Sequence, residues 1–166
     1  MLKFVAKAGL VAASLAAVPA AAQPALGADA AVCRAGHPSI LVNVLGFRQR
    51  TGNVRVALYG NPSTFLDHGA TMRKINLPVT PGGPMRICIA VPQPGRYAIA
   101  VRHDVNGDNA RNDWSDGGGF SRNPHISLLH LRPSFDEVAV TVGEGVVGVN
   151  VVLNYRYGLS IHPANG

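Results

Sequence analysis

Beyond its first 22 residues this 166-residue chain has a single lysine, Lys74, and it has only two cysteines, one tryptophan and nine acidic residues. Each scarcity excludes something. The cations are almost all arginines spread singly, with no basic run and no interleaved aromatics, so the footprint of nucleic-acid binding is missing and no nucleic-acid partner is expected. No stretch after residue 22 is long and apolar enough for a membrane helix, which needs roughly 20 residues. Aromatic residues make up 6% of the chain, so any stacking platform for sugars is small. There is no G-x-S-x-G elbow, H-E-x-x-H pair or phosphate-binding loop.

The N-terminus reads as an address. Lys3 and Lys7 precede an apolar run, Ala8 to Val18, and the segment ends in Ala20 and Ala22, spaced A-x-A before Gln23. This is the pattern of a secretory signal peptide over residues 1–22, cleaved after Ala22, and it points to a periplasmic or secreted protein. The run is too short to be a transmembrane anchor. Without it the chain keeps thirteen Lys and Arg against nine Asp and Glu, a net charge of +4. Outside the cytoplasm an even cysteine count permits a disulfide, and Cys33 and Cys88 are expected to pair. Closing so long a loop stabilises by roughly 4 kcal/mol in the chain-entropy model.

Hydrophobicity alternates with period two. In GNVRVALYG, Val54, Val56 and Leu58 share one face, and Arg55, Ala57 and Tyr59 share the other. SILVNVLG, MRKINLPV, MRICIAV, GRYAIAVRH, DEVAVTV and VVGVNVVLNY behave alike. About seven β-branched strands bounded by Gly, Pro, Asn and Asp predict an all-β, antiparallel sandwich over residues 39–157. Residues 23–38 form an N-terminal extension and 158–166 a tail. Almost no helix is expected; NPSTFLDHG, around Phe65, is read as one short turn.

One segment breaks the alternation. HDVNGDNARNDWSDGGGF, His103 to Phe120, holds four of the nine acidic residues, the only Trp and a Gly triplet. From Asp104 to about Pro133 no alternating run appears except HISLLHL, so the pattern offers one long connection of roughly thirty residues, and long loops tend to be functional or disordered. Asp104, Asn106 and Asp108 are spaced D-x-N-x-D. Short oxygen-bearing side chains at alternate positions of a curled loop suit Ca²⁺, which takes six to eight oxygen ligands. The Ala110 carbonyl would follow, and Asp113 or Asp116 would close the shell. Asn109 occupies the sharp-turn position and is the residue after Gly that best tolerates left-handed geometry. Ser115 stands where an EF-hand has its bidentate Glu, so the loop is not an EF-hand. A solvated turn is the competing reading, since Asp and Asn favour turns for local reasons. A transition-metal reading would use His103, His125 and His130, but nothing fixes them at ligand spacing.

Catalysis fits poorly. His103 and Asp104 are adjacent on a strand and point to opposite faces, so a triad with Ser115 or Ser121 lacks its hydrogen bond. Asp113 and Asp116 as a glycosidase pair would lack the usual large cleft. The protein is therefore read as non-catalytic. Trp114 is taken as a lid over the loop or a core anchor, with Trp114 and Phe120 the candidates for ligand contact.

Four stretches, GNVRVALYGNPSTF, PGRYAIAVRHDVNGDNARND, GGGFSRN and RPSFDEVAVTV, occur in an order that resembles a family of small exported bacterial proteins, the domain of unknown function numbered 2141. The resemblance covers roughly residues 39–154. Its most specific parts are PG-x-YA-x-AV-x-HD-x-NG and GFS-x-N. It implies an immunoglobulin-like or transthyretin-like β-sandwich and no established activity. Asp104, Asn106, Gly107 and Asp108 match the family's D-x-N-G stretch, whereas Asn109 and DWSDGG depart from it. The expectation is thus an exported, non-catalytic β-sandwich with a calcium-binding loop at 104–116. The alternative is a carbohydrate- or protein-binding module whose 104–122 loop contacts an unknown protein or polysaccharide partner without metal.

Overall fold

Most of the alternating segments form strands in the computed structural model, which describes residues 24–109 and 113–164; residues 1–22, read as a signal peptide, lie outside the described residues. Strands β1 (Ser39–Leu45), β2 (Asn53–Tyr59), β3 (Arg73–Pro78), β4 (Met85–Ala90) and β5 (Gly95–Asp104) come first. They are followed by β6 (Gly117–Phe120), β7 (Val140–Val142), β8 (Val146–Val152), β9 (Asn154–Tyr157) and β10 (Ser160–Pro163). One sheet has the order β4-β1-β8 and the other β10-β9-β6-β5-β2-β3, with β7 beside the start of β5. The core lies between them. Ile40, Val42 and Val44 of β1, Val54, Val56 and Leu58 of β2, and Ile99 and Val101 of β5 are buried there. This is the period-two face, because successive side chains of a strand point to opposite sides.

The architecture is all-β and sandwich-like, with corrections to the reading in detail. There are ten strands among the described residues rather than about seven. VVGVNVVLNY splits at Leu153 into β8 and β9, and β10 arises from the C-terminal tail. One pair is parallel: β8 runs alongside β1, with Ile40 opposite Val147 and Val44 opposite Val151. DEVAVTV is a strand only at its end. Phe135–Val138 is a helical turn, α2, whose Ser134 and Glu137 form a reciprocal capping box. That signature, S-x-x-E before an apolar residue, was legible in the sequence. Pro62–Thr64 forms a short 3₁₀ turn at the position read as one. The second face of β2 is also covered. Ala57 and Tyr59 join Phe65, Ala98, Phe135, Val138 and Ala139 in a smaller cluster outside the large sheet.

The N-terminal extension is built into the fold. Helix α1 (Ala30–Arg34) carries Cys33, which forms a disulfide with Cys88 of β4, Cα atoms 6.1 Å apart. Leu26 pairs with β4 beside Ile87. The Asp29 carboxylate accepts from Nε and Nη2 of the Arg73 guanidinium on β3 and from the backbone N–H of Ala90 at 2.9 Å. β4 and β3 belong to different sheets, so this strap ties the two sheets together along one edge.

Candidate functional site

β5 is central in the large sheet, and its last residue, Asp104, opens the acidic loop. The chain returns as β6 after twelve residues, with Arg102 opposite Gly118 and His103 opposite Gly117. The expected thirty-residue connection is therefore divided by a strand that periodicity could not reveal, because GGGF has almost no side chains to alternate. The glycines are required by close approach. A Cβ on Gly117 would collide with the Tyr155 ring, and one on Gly119 would lie 2.6 Å from the Val152 carbonyl oxygen. HISLLHL, by contrast, forms only a tight turn in which Ser127 and His130 exchange backbone hydrogen bonds.

The loop's carboxylates fall into two groups. Asp104 and Asp116 turn inward. Asp104, 3% exposed, accepts from the backbone N–H groups of Gly107 and Asn109, each at 2.9 Å. Asp116 accepts from the Val105 N–H and from Arg102, whose guanidinium lies 2.7 Å away. Arg102 also stands 3.8 Å from Asp104. Positive charge beside the clustered carboxylates is thus supplied by the chain itself, from the strand that carries the loop. Asn106, Asp108 and Asp113 meet on the outer side. The Asn106 amide donates to Asp108 at 2.9 Å and to Asp113 at 2.8 Å. Asp113 also accepts from the Ser115 N–H, and that bond holds its carboxyl below the usual range. Asn109 adopts φ 61°, the left-handed geometry expected of it, and accepts from Arg55. Ala110 lies outside the described residues. Among the described residues no three His, Cys, Asp or Glu side chains converge closely enough to hold a metal.

His103 is fully buried and bonded on both nitrogens, to the Tyr155 hydroxyl at 2.7 Å and the Thr51 carbonyl at 2.8 Å. Tyr155 in turn accepts from the Arg48 N–H. The hydroxyl donates to Nδ1 and Nε2–H donates to Thr51, which fixes a neutral tautomer. Burial pushes the imidazole pKa down and outweighs the Thr51 bond and the nearby carboxylates, while burial pushes the Tyr155 hydroxyl up. A histidine whose folded pKa is depressed stays neutral in the fold and takes up a proton on unfolding in mild acid. Its contribution to stability is complete above the unfolded value of 6.5 and is lost as pH falls below it toward the folded value. Stability should therefore decline below about pH 6.5 with a slope of up to roughly 1.4 kcal/mol per pH unit from this residue. Urea melts between pH 5 and 8 measure it, and His103→Gln should flatten that part of the profile. His103 does not meet Asp104, and Ser121 is buried in bonds to Ile99 and Val138. His130 contacts Glu137 at 3.2 Å.

Trp114 is not a core anchor. It is 66% exposed, and the Arg156 guanidinium carbon lies 3.1 Å from its ring centre. It stands at a cleft of about 410 Å³ lined by Asp113, Asp116 and Phe120 from the loop and β6. Ile126, Leu128 and Leu131 form another wall, and Asn154, Arg156 and Ile161 of β9 and β10 a third. Sequence reasoning named Trp114, Phe120, Asp113 and Asp116 but missed the opposite walls. Ile126, Leu128 and Leu131 gave only a weak alternating signal, and β10 lay in a segment read as tail.

A family model described as an uncharacterized protein conserved in bacteria, numbered 2141, matches residues 42–150. No curated protein matches the chain. No solved structure matches it either.

Proposed function

Starting from a chain that belongs to this uncharacterized bacterial family, we propose that it is an exported, non-catalytic binding module whose ligand meets the β5–β6 loop and the adjoining cleft. The observation that carries this reading is the cleft itself: apolar walls with a few convergent polar groups, Asp113, Asn154 and Arg156. Ligand pockets are commonly built so, with apolar surface for affinity and sparse polar groups for orientation. Trp114 and Phe120 supply the aromatic surface. The partner is a polysaccharide or a protein. Export is supported by the signal-like N-terminus and by the disulfide.

A second reading has its own observation. Asp108 and Asp113 converge on one point, filled by the Asn106 amide. Turning that amide over would present its oxygen between two carboxylates, three hard ligands of the kind Ca²⁺ takes. Asp104 and Asp116, held by backbone N–H groups and Arg102, would sit behind them and hold the loop's shape.

Trp114 reports on both, being the only Trp. In chelator, soluble polysaccharide fragments should change its emission saturably, and Ile161→Arg, which fills the cleft, should abolish the change. No response from any fragment and no effect of Ile161→Arg would count against a sugar in the cleft. Calcium alone should raise the melting midpoint, by about 2.7 kcal/mol of stability at a hundredfold excess over Kd. Asp108→Ala should remove that gain and leave the sandwich folded. A midpoint unmoved between calcium and chelator ends the calcium reading and leaves the cleft reading intact.

A further inference from the structure

Two of the three glycines in β6 are accounted for by packing; Gly118 is not. Gly117 and Gly119 face the core, where Tyr155 and Val152 leave no room for a Cβ. Gly118 faces the other way and lies on the floor of the cleft. Among the described residues, and apart from its chain neighbours, a Cβ there would meet only the Val101 carbonyl oxygen at 3.6 Å, an ordinary contact. Its φ lies outside the left-handed region. Alanine would therefore fit, and glycine weakens the interior of a strand. The fold gives no reason for glycine at this position. The cleft gives one, because a strand glycine lets a ligand come down onto the backbone.

We propose that Gly118 is the floor of a sugar subsite, where one uncharged ring of a polysaccharide lies against the bare strand. This rests on the cleft reading above and names its ligand class. Charge selects a neutral ligand. Asp113, Asp116 and Arg156 are the charged residues of the lining, and Arg102 pairs with Asp116 at 2.7 Å, so two negative charges meet two positive ones. The polar groups suit hydroxyls, which both donate and accept. The Asn154 amide donates to the Val152 carbonyl at 3.2 Å and keeps an acceptor, and Arg156 Nε donates to the Gly158 carbonyl at 2.8 Å and leaves the Nη donors. Phe120, on the same face of β6 as Gly118, and Trp114 offer ring surface to the C–H face of a sugar. Strand addition by a peptide is excluded at this floor. Gly118 pairs with Arg102 of β5 on one side and Asn154 of β9 on the other, so no backbone edge is open there. A folded protein would rest on the exposed Trp114 and Leu131 and be indifferent to one methyl group on the floor.

The test uses the disulfide-bonded chain without residues 1–22, in chelator. The probes are neutral glucan, mannan and chitin fragments, with oligogalacturonate as the charged comparator. Trp114 emission and titration calorimetry should report saturable binding of at least one neutral fragment, and weaker binding of oligogalacturonate. Gly118→Ala should weaken the neutral fragment about tenfold, as expected for a methyl group set into a close-packed contact. Its melting midpoint should be unchanged or up to about 3 °C higher, since alanine suits a strand interior better than glycine. Gly117→Ala and Gly119→Ala should each lower the midpoint, because their methyl groups collide with Tyr155 and Val152. If Gly118→Ala binds as wild type does while Ile161→Arg does not bind, the proposal is overturned and the cleft reading stands. A Gly118→Ala midpoint lowered like those of its neighbours also overturns it, by making the glycine structural. No binding of any neutral fragment overturns the sugar assignment and leaves the cleft to a protein; tighter binding of oligogalacturonate overturns its neutrality. A fragment whose binding ignores both Gly118→Ala and Ile161→Arg fails the cleft reading itself.

Discussion

Replacing Cys33 and Cys88 by Ala together should cost about 4 kcal/mol of stability, the chain-entropy value for a closed loop of this length. The separation is 55 residues. For a domain of this size that lowers the melting midpoint by roughly 10–15 °C. The loss should exceed that of an ordinary surface disulfide because of what the bond holds. Cys88 is fully buried on β4, and helix α1 is its cover. Releasing α1 would also loosen Leu26, whose backbone donates to Arg86 and accepts from Cys88. The β4 edge would then be unpaired along Arg86 to Cys88, and an open edge invites association. Differential scanning calorimetry of oxidised wild type, reduced wild type and the double variant measures the effect. Equal midpoints in all three would show that the strap contributes nothing to the fold.

Arg73→Met should cost about 3 kcal/mol, comparable to breaking other buried ion pairs by removing one partner. The reason is Asp29, whose side chain is 4% exposed whereas that of Arg73 is 46% exposed. Burial by itself raises the Asp29 pKa; the Arg73 bond and the Ala90 N–H outweigh it, and the net shift is downward. Its stabilisation is therefore present above the unfolded value of 3.8 and is lost as pH falls through the lower folded value. In Arg73→Met the carboxylate keeps only the Ala90 N–H and remains desolvated. Adding Asp29→Asn should return part of the loss, since a neutral amide costs less to bury unpaired than a charge. Urea unfolding of wild type, both singles and the double variant closes the cycle. A double variant as unstable as the sum of the singles would mean that the two groups are not coupled. Together the disulfide and this ion pair make residues 24–38 part of the domain rather than a leader to it.

How much of this was legible in the residues depends on the range over which each interaction acts. Alternation in β1 to β5 was readable because a strand's period follows from its own backbone, and burial on one side selects Val54, Val56 and Leu58. Asn109 was readable as a left-handed residue because that preference is local. The Cys33–Cys88 bridge was readable from the cysteine count and the address, not from geometry. The acidic loop could be located but not interpreted. Its counter-ion, Arg102, lies on the preceding strand and reaches Asp116 only because β6 returns beside β5.

By itself, then, the sequence determined the fold class, most strand positions, the bridge and the segment where the pattern fails. Those follow from local periodicity, turn propensity and composition. The tertiary structure alone decided the rest. It placed β1 parallel to β8, made a strand of Gly117–Phe120 because Tyr155 and Val152 press against its glycines, and exposed Trp114 beside Arg156. It also assembled one cleft from 113–120, 126–131 and 154–161. The physical reason is that pairing partners and cavity walls are set by contacts between residues far apart in the chain, and no local pattern of side chains encodes which distant strand will arrive.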